Sequence, residues 1–151
     1  MTDAPQVTAL PYENIDDAID ALRVRGLRLS PIRMRLLEEL FAVTRPLSAE
    51  DLAGRLGLVL TSVYRNLETL ERHGVLRHVH LGHGPGLYVL LVRGEFEYIY
   101  CPGCRTARTV RPDLLDPVRV HIRRRFGYEV SFTHFALIGR CPGCAGDPVA
   151  E

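Results

Sequence analysis

Four cysteines are the residues of this chain best equipped for chemistry. They fall in two identical pairs, Cys101-Pro-Gly-Cys104 and Cys141-Pro-Gly-Cys144. Two residues between cysteines let both sulfurs reach one ion from a tight turn, and Pro-Gly suits such a knuckle. Four thiolates are the donor set that tetrahedral zinc prefers. The stretch 105–140 between the pairs exceeds the usual zinc-ribbon spacing, so a helix and a strand must be looped out between them. Each pair alone could also be a redox dithiol, as in thioredoxin-like proteins, but neither sits at the strand-to-helix turn of a βαβ unit. A zinc deaminase needs His-x-Glu with Pro-Cys-x-x-Cys. This chain has no His-x-Glu and no proline before Cys101 or Cys141. Structural zinc on Cys101, Cys104, Cys141 and Cys144 is the expected chemistry.

These knuckles must be carried by regular elements, and the hydrophobic periodicity lays those out. Ile15, Ile19 and Leu22 repeat at helical spacing, with a stop near Gly26. Ser30 caps a second helix whose first position is Pro31, where the missing N–H costs nothing. Ser48 caps a third, with Leu52 and Leu56 on one face and Gly57 as its stop. The fourth, 61–73, buries Val63, Leu67 and Leu70 and ends at Gly74. A short helix, a tight turn and a second helix form a helix-turn-helix pattern. Residues 75–81 and 87–92 flank a Gly-His-Gly-Pro-Gly loop and read as two strands. A hairpin directly after a helix-turn-helix predicts a winged helix.

From residue 94 the pattern changes. Strands are expected at 95–101 and 106–110, a helix from Pro112 to Phe126 stopped by Gly127, and a last strand at about 129–138. The fold class expected is therefore α+β. It comprises a winged helix-turn-helix over 1–92, a hinge at 93–94, and a small α/β dimerisation domain over 95–151. The second half is too small to bury much core alone, and should lean on a metal, a partner chain or both.

Composition is that of a soluble globular protein, with 46% hydrophobic and 25% charged residues. No apolar run reaches the roughly 18 residues of a membrane-spanning helix. The first twenty residues are acidic and resemble neither a secretory signal nor a transit peptide, so a cytoplasmic location is expected. Net charge is only +1, yet Arg23, Arg25, Arg28, Arg33 and Arg35 follow one another with no acid between them.

The stretch "SVYRNLETLERHGVL", together with "RLSPIRMRLLEEL" and the paired cysteines, resembles the ferric uptake regulator (Fur) family from about Leu22 to Cys144. Members are homodimeric, metal-responsive transcription factors. The resemblance implies a structural zinc on the four cysteines and a recognition helix, 61–73, in the major groove. Tyr64 and Arg65 match the family's Tyr-Arg pair, where the ring can pack on a thymine methyl and the guanidinium can reach guanine or phosphate. Ser62 matches a phosphate-facing threonine. Arg28 matches a basic residue that reaches an A·T-rich minor groove.

The departures concern sensing. Aligned on Cys101, the histidines most used for the inter-domain sensor fall on Phe96 and Tyr98, and its carboxylates fall on Thr109 and Val89. A second family site has its alternating pair on Glu95 and Glu97, which share a strand face. Its helical acid falls on His121. Its last-strand histidine falls on Thr133, with His134 one residue later. Two carboxylates and two imidazoles suit Mn2+, Fe2+ or Zn2+. His78 and His80, which share a strand face upstream with His83 nearby, form a competing regulatory site like the histidine pair of the family's nickel-sensing branch.

The reading is a metal-dependent transcriptional repressor controlling metal uptake or homeostasis genes. It would be a homodimer bound to a double-stranded DNA operator, with structural Zn2+ and a second regulatory divalent metal. No enzymatic activity, membrane partner or small-molecule substrate is expected. The alternatives are a structural-zinc regulator without metal sensing, and a thiol-based redox switch.

Overall fold

Local capping chemistry starts the helices of the first half. Asn14 accepts the N–H of Asp17 at 2.9 Å and opens helix α1, Ile15–Val24. Ser30 accepts the N–H of Arg33 and opens α2, Pro31–Ala42, with Pro31 in the first turn. Ser48 and Asp51 form a reciprocal capping box at the start of α3, Ala49–Leu56, which Gly57 ends at φ +62°. That left-handed geometry carries little penalty for a residue without Cβ. Helix α4, Leu60–Arg72, follows after three residues. The computed structural model from which these elements are taken describes residues 10, 12–43, 45–91 and 96–146.

The chain divides into two compact units: Met1–His78 with Gly86–Gly94, and Val79–Pro85 with Glu95–Glu151. The expected hinge at 93–94 lies outside the described residues. The hairpin loop 79–85, placed by sequence in the first domain, groups with the second unit.

In the first unit, strands β2 (Leu76–Val79) and β3 (Leu87–Leu90) are joined by a short β1 (Leu47–Ser48) in the order β1-β3-β2. Leu47 pairs with Tyr88 and Ser48 with Leu87, antiparallel. Periodicity had no means of announcing β1, since two residues are too few to show alternation and Ser48 doubles as a helix cap. The core gathers Leu22, Leu36, Leu37, Leu47, Leu52, Val63, Leu67, Leu70 and Leu76, all fully buried. Burying a leucine contributes about 1.5–3 kcal/mol, so this unit has a core of its own.

The second unit is built on β4 (Glu97–Tyr100), which lies between β5 (Ala107–Val110) and β6 (Leu137–Ile138). Strand β5 runs antiparallel with Tyr98 opposite Thr109; β6 runs parallel with Ile99 opposite Leu137. The expected strand at 129–138 is thus reduced to its end. Ser131 Oγ pairs with Thr133 Oγ1 at 2.9 Å and also takes up the Thr133 N–H, offering this segment a turn instead of a ladder. The expected helix from Pro112 is also broken. Pro112–Leu115 is a 3-10 turn, and α5 proper covers Asp116–Phe126, because Pro117 supplies no N–H to a continuous helix. Helix α5 has no buried residue. A short α6, Pro142–Ala145, carries the last cysteine.

Candidate metal centres and nucleic-acid interface

The two Cys-Pro-Gly-Cys turns meet in the second unit. Cys101 leaves β4 with its N–H donating to Thr106 O at 3.0 Å, closing the first knuckle. Cys141 caps α6, and the N–H of Cys144 returns to Cys141 O at 2.9 Å. All four sulfurs then lie within 4.8 Å of one another, and Cys104 Sγ is 3.8 Å from Cys141 Sγ. Sulfurs placed tetrahedrally about 2.3 Å from a common ion would be separated by about 3.8 Å. None of the four is in a disulfide. The donor set fits a zinc ion. The first knuckle admits nothing larger than glycine without movement, since a Cβ at Gly103 would lie 3.0 Å from Cys144 Sγ.

Neighbouring groups shift the thiols unequally. Backbone N–H groups of Cys141 and then Cys104 act on Cys101 and lower its pKa to about 6. The Thr106 hydroxyl lowers Cys104. Cys144 is pushed up to about 12, first by Cys141 and then by the other thiols. Cys101 therefore gives up its proton readily while Cys144 resists doing so, until a dication compensates the crowded charge.

The remaining candidate ligands are distributed differently from the sequence expectation. Glu97 is 1% exposed, and its Oε1 accepts from Arg119 Nη2. Arg119 also donates to Asp116 Oδ1 at 2.9 Å and Pro112 O at 2.8 Å, with Phe132 under its guanidinium at 5.3 Å. Burial opposes the charge on Arg119, but Glu97 and then Asp116 outweigh it and raise its pKa above the ordinary value. His121 is exposed on α5, and Glu95 lies outside the described residues. Neither Glu97 nor His121 belongs to a group of three or more possible ligands among the described residues.

His134 instead stands beside His80. The His80 N–H donates to His134 O at 2.9 Å, and the ring centroids are 5.0 Å apart. Each ring offers a nitrogen within 4.8 Å of the other's, and Phe135 stacks on His80 at 5.3 Å. His78, two residues before His80, is held within the first unit by Glu71, whose Oε1 lies 2.7 Å from its Nδ1. His83 is exposed.

On α4, Val63, Leu67 and Leu70 fill the core, so Tyr64 and Arg65 face outward. Tyr64 is 42% exposed, and its hydroxyl donates to Glu50 Oε1 at 2.8 Å, which also raises its pKa. Ser62 is half-buried at the helix start, and Arg28 is exposed, its carbonyl accepting from Arg33 Nη1 at 2.6 Å. Sequence reading assigned no partner to Glu50, Glu71 or Arg119. Their partners lie 14, 7 and 22 residues away, beyond the spacings by which a helix or strand announces neighbours.

One unit carries a winged helix-turn-helix and the other a four-cysteine cluster that fits a metal ion. Residues 29–79 match a helix-turn-helix domain model. The chain is 24% identical over 145 residues to the ferric uptake regulation protein of Vibrio vulnificus, covering 91% of this chain and 97% of that one. It is 27% identical over 131 residues to the protein of that name from Synechococcus elongatus, covering 82% and 89%. The ferric uptake regulator of Helicobacter pylori has a similar fold, with TM-score 0.67 at 16% identity over 91% of this chain and 97% of that one. Curated relatives and a solved fold thus liken the chain, over most of its length, to ferric uptake regulators. Among the described residues, no helix is long and apolar enough to cross a membrane.

Proposed function

We propose that the protein is a homodimeric transcriptional repressor that binds operator DNA through α4 and responds to a divalent metal. The observation that carries this reading is the outward Tyr64–Arg65 pair on a helix whose other face is anchored in the core. Tyr64 and Arg65 read base edges, Ser62 takes a phosphate, and Arg28 enters the neighbouring minor groove. Cys101, Cys104, Cys141 and Cys144 hold a structural zinc.

A second copy of the chain covers the apolar surface left on the second unit. Val118, Val120, Phe126, Tyr128 and Ile138 are all at least 40% exposed there, which a small unit with a thin core would not sustain alone. Metal would shift the population toward a dimer whose two α4 helices match successive major grooves.

The regulatory ion is assigned to the histidines: His78 and His80, with His134 beside His80. Imidazole donors suit Zn2+ and Ni2+ as well as Fe2+. A second reading, a zinc-stapled regulator that does not sense metal, is favoured by one observation. Glu97, an expected carboxylate ligand, is already neutralised by Arg119. The test is a metal titration of operator binding for wild type, His78→Ala/His80→Ala and Glu97→Gln/His121→Ala. Loss of the response in the first double variant alone supports the histidine assignment. Loss in the second alone returns the sensor to the Glu97 site, and a wild type without any response leaves the second reading. Zinc content measured against titratable thiols separates both from a redox switch.

A further inference from the structure

Glu71 sits in the last turn of α4, on the same helix as Tyr64 and Arg65, and its carboxylate converges on a single residue of β2. Oε1 accepts the backbone N–H of His78 at 3.0 Å and lies 2.7 Å from His78 Nδ1; Oε2 lies 2.9 Å from that same nitrogen. The carboxylate is only 12% exposed, and the imidazole 26%. Tyr88 flanks the imidazole, with ring centroids 6.0 Å apart.

An ionised carboxylate can only accept, so the proton of this contact belongs to Nδ1. A neutral ring protonated at Nδ1 presents its lone pair on Nε2, the atom that would ligate a metal. A carboxylate behind a histidine is how metal-binding imidazoles are oriented and made more basic. The double contact also leaves the ring little freedom, because Oε1 is tied to both the backbone and the ring of His78, and Oε2 to the ring.

We propose that Glu71 is the positioning residue that makes His78 a metal ligand and couples occupancy of that ligand to the recognition helix. The inference rests on the assignment of the regulatory ion to His78 and His80. A dication on Nε2 withdraws charge from the ring and strengthens Nδ1–H as a donor. The charge-assisted bond to Glu71 tightens, and the C-terminal turn of α4 is drawn onto β2. Metal binding would then act on the helix that carries Tyr64 and Arg65 through one hydrogen bond.

The experiment uses zinc-loaded, full-length protein with Ni2+ as the probe. Wild type, Glu71→Gln, Glu71→Ala and His78→Ala are compared by calorimetric Ni2+ titration and by the ratio of operator affinity with and without Ni2+. 15N NMR of the imidazoles reads the His78 tautomer before nickel is added. Zinc content and a cooperative melt certify each variant, and Glu71→Gln keeps an acceptor oxygen should Glu71→Ala fail to fold. The expected result is Nδ1–H at His78 in wild type and a loss of Ni2+ affinity of about tenfold or more in Glu71→Ala. Glu71→Gln should fall between, and both should show a smaller operator ratio. Glu71 variants with wild-type nickel affinity and operator ratio, where His78→Ala loses both, overturn the role of Glu71. Weakened nickel binding with an unchanged operator ratio overturns the coupling. If His78→Ala itself binds Ni2+ as wild type does, the ion is elsewhere and the underlying assignment fails first.

Discussion

Arg119 lies against the buried carboxylate of Glu97: its Nη2 donates to Glu97 Oε1, within a side chain only 1% exposed. Around that pair Asp116, the carbonyl of Pro112 and the ring of Phe132 complete a seat for the guanidinium. Helix α5, which buries no residue of its own, is held to β4 through this contact.

Removing the cation should therefore cost more than a typical surface ion pair. Arg119→Ala leaves Glu97 charged, buried and uncompensated, which typically costs about 3–5 kcal/mol. The low end is expected, because Arg119 keeps 23% of its side chain in water. Arg119→Met/Glu97→Leu should recover most of the loss. Denaturant unfolding of the zinc-loaded protein measures both, and equal stability of the single and double variants would count against the pair.

The zinc staple predicts one tightly bound ion per chain and, for Cys104→Ser or Cys141→Ser, loss of zinc together with loss of the dimer. Elemental analysis and sedimentation read the two effects. Gly103→Ala should weaken zinc retention against a chelator without removing a ligand, since the new Cβ would sit 3.0 Å from Cys144 Sγ and 3.1 Å from its Cβ. Unchanged chelator resistance would show that the knuckle relaxes freely.

DNA recognition separates into two signatures. Arg65→Ala should reduce operator affinity by about 1–3 kcal/mol and relax base preference at one position. Arg28→Ala should lower affinity across sequences and reduce the salt slope by about one. Binding isotherms at several salt concentrations distinguish them. Operator affinity unchanged in Arg65→Ala would misplace the recognition helix.

Alkaline pH should destabilise the first unit. Burial, and after it Glu71, raises Tyr88 to about 12, and burial raises Tyr12 further, against a hydrogen bond from Leu91 that lowers it. The unfolded phenol ionises near its ordinary value of about 10. The native state thus holds protons that the unfolded chain has released, and stability falls as pH rises from about 10 through the folded values. Melting temperatures from pH 8.5 to 11.5 should show the decline, with a shallower slope in Tyr88→Phe.

Much was legible in the residues themselves because it depends on near neighbours. Ser30, Ser48, Gly57 and Gly127 act within one helical turn, so the starts and stops of α2, α3 and α5 follow from their chemistry. The stripe Val63, Leu67, Leu70 turns Tyr64 and Arg65 outward by helical period alone. Two Cys-x-x-Cys turns declare a four-sulfur centre whatever lies between them.

Tertiary structure decided the rest, where a residue's role depends on a partner that chain spacing does not announce. Glu97 reads as a metal ligand along its strand, yet an arginine from α5 meets it. His134 comes beside His80 because the chain near Phe135 pairs with the hairpin loop, where a local turn had replaced most of the expected strand. Glu71 reaches His78 only because α4 and β2 fold back at Gly74, which adopts φ +77°. A periodic pattern specifies which face of an element is buried. Which charge meets which across elements depends on the packing of those faces.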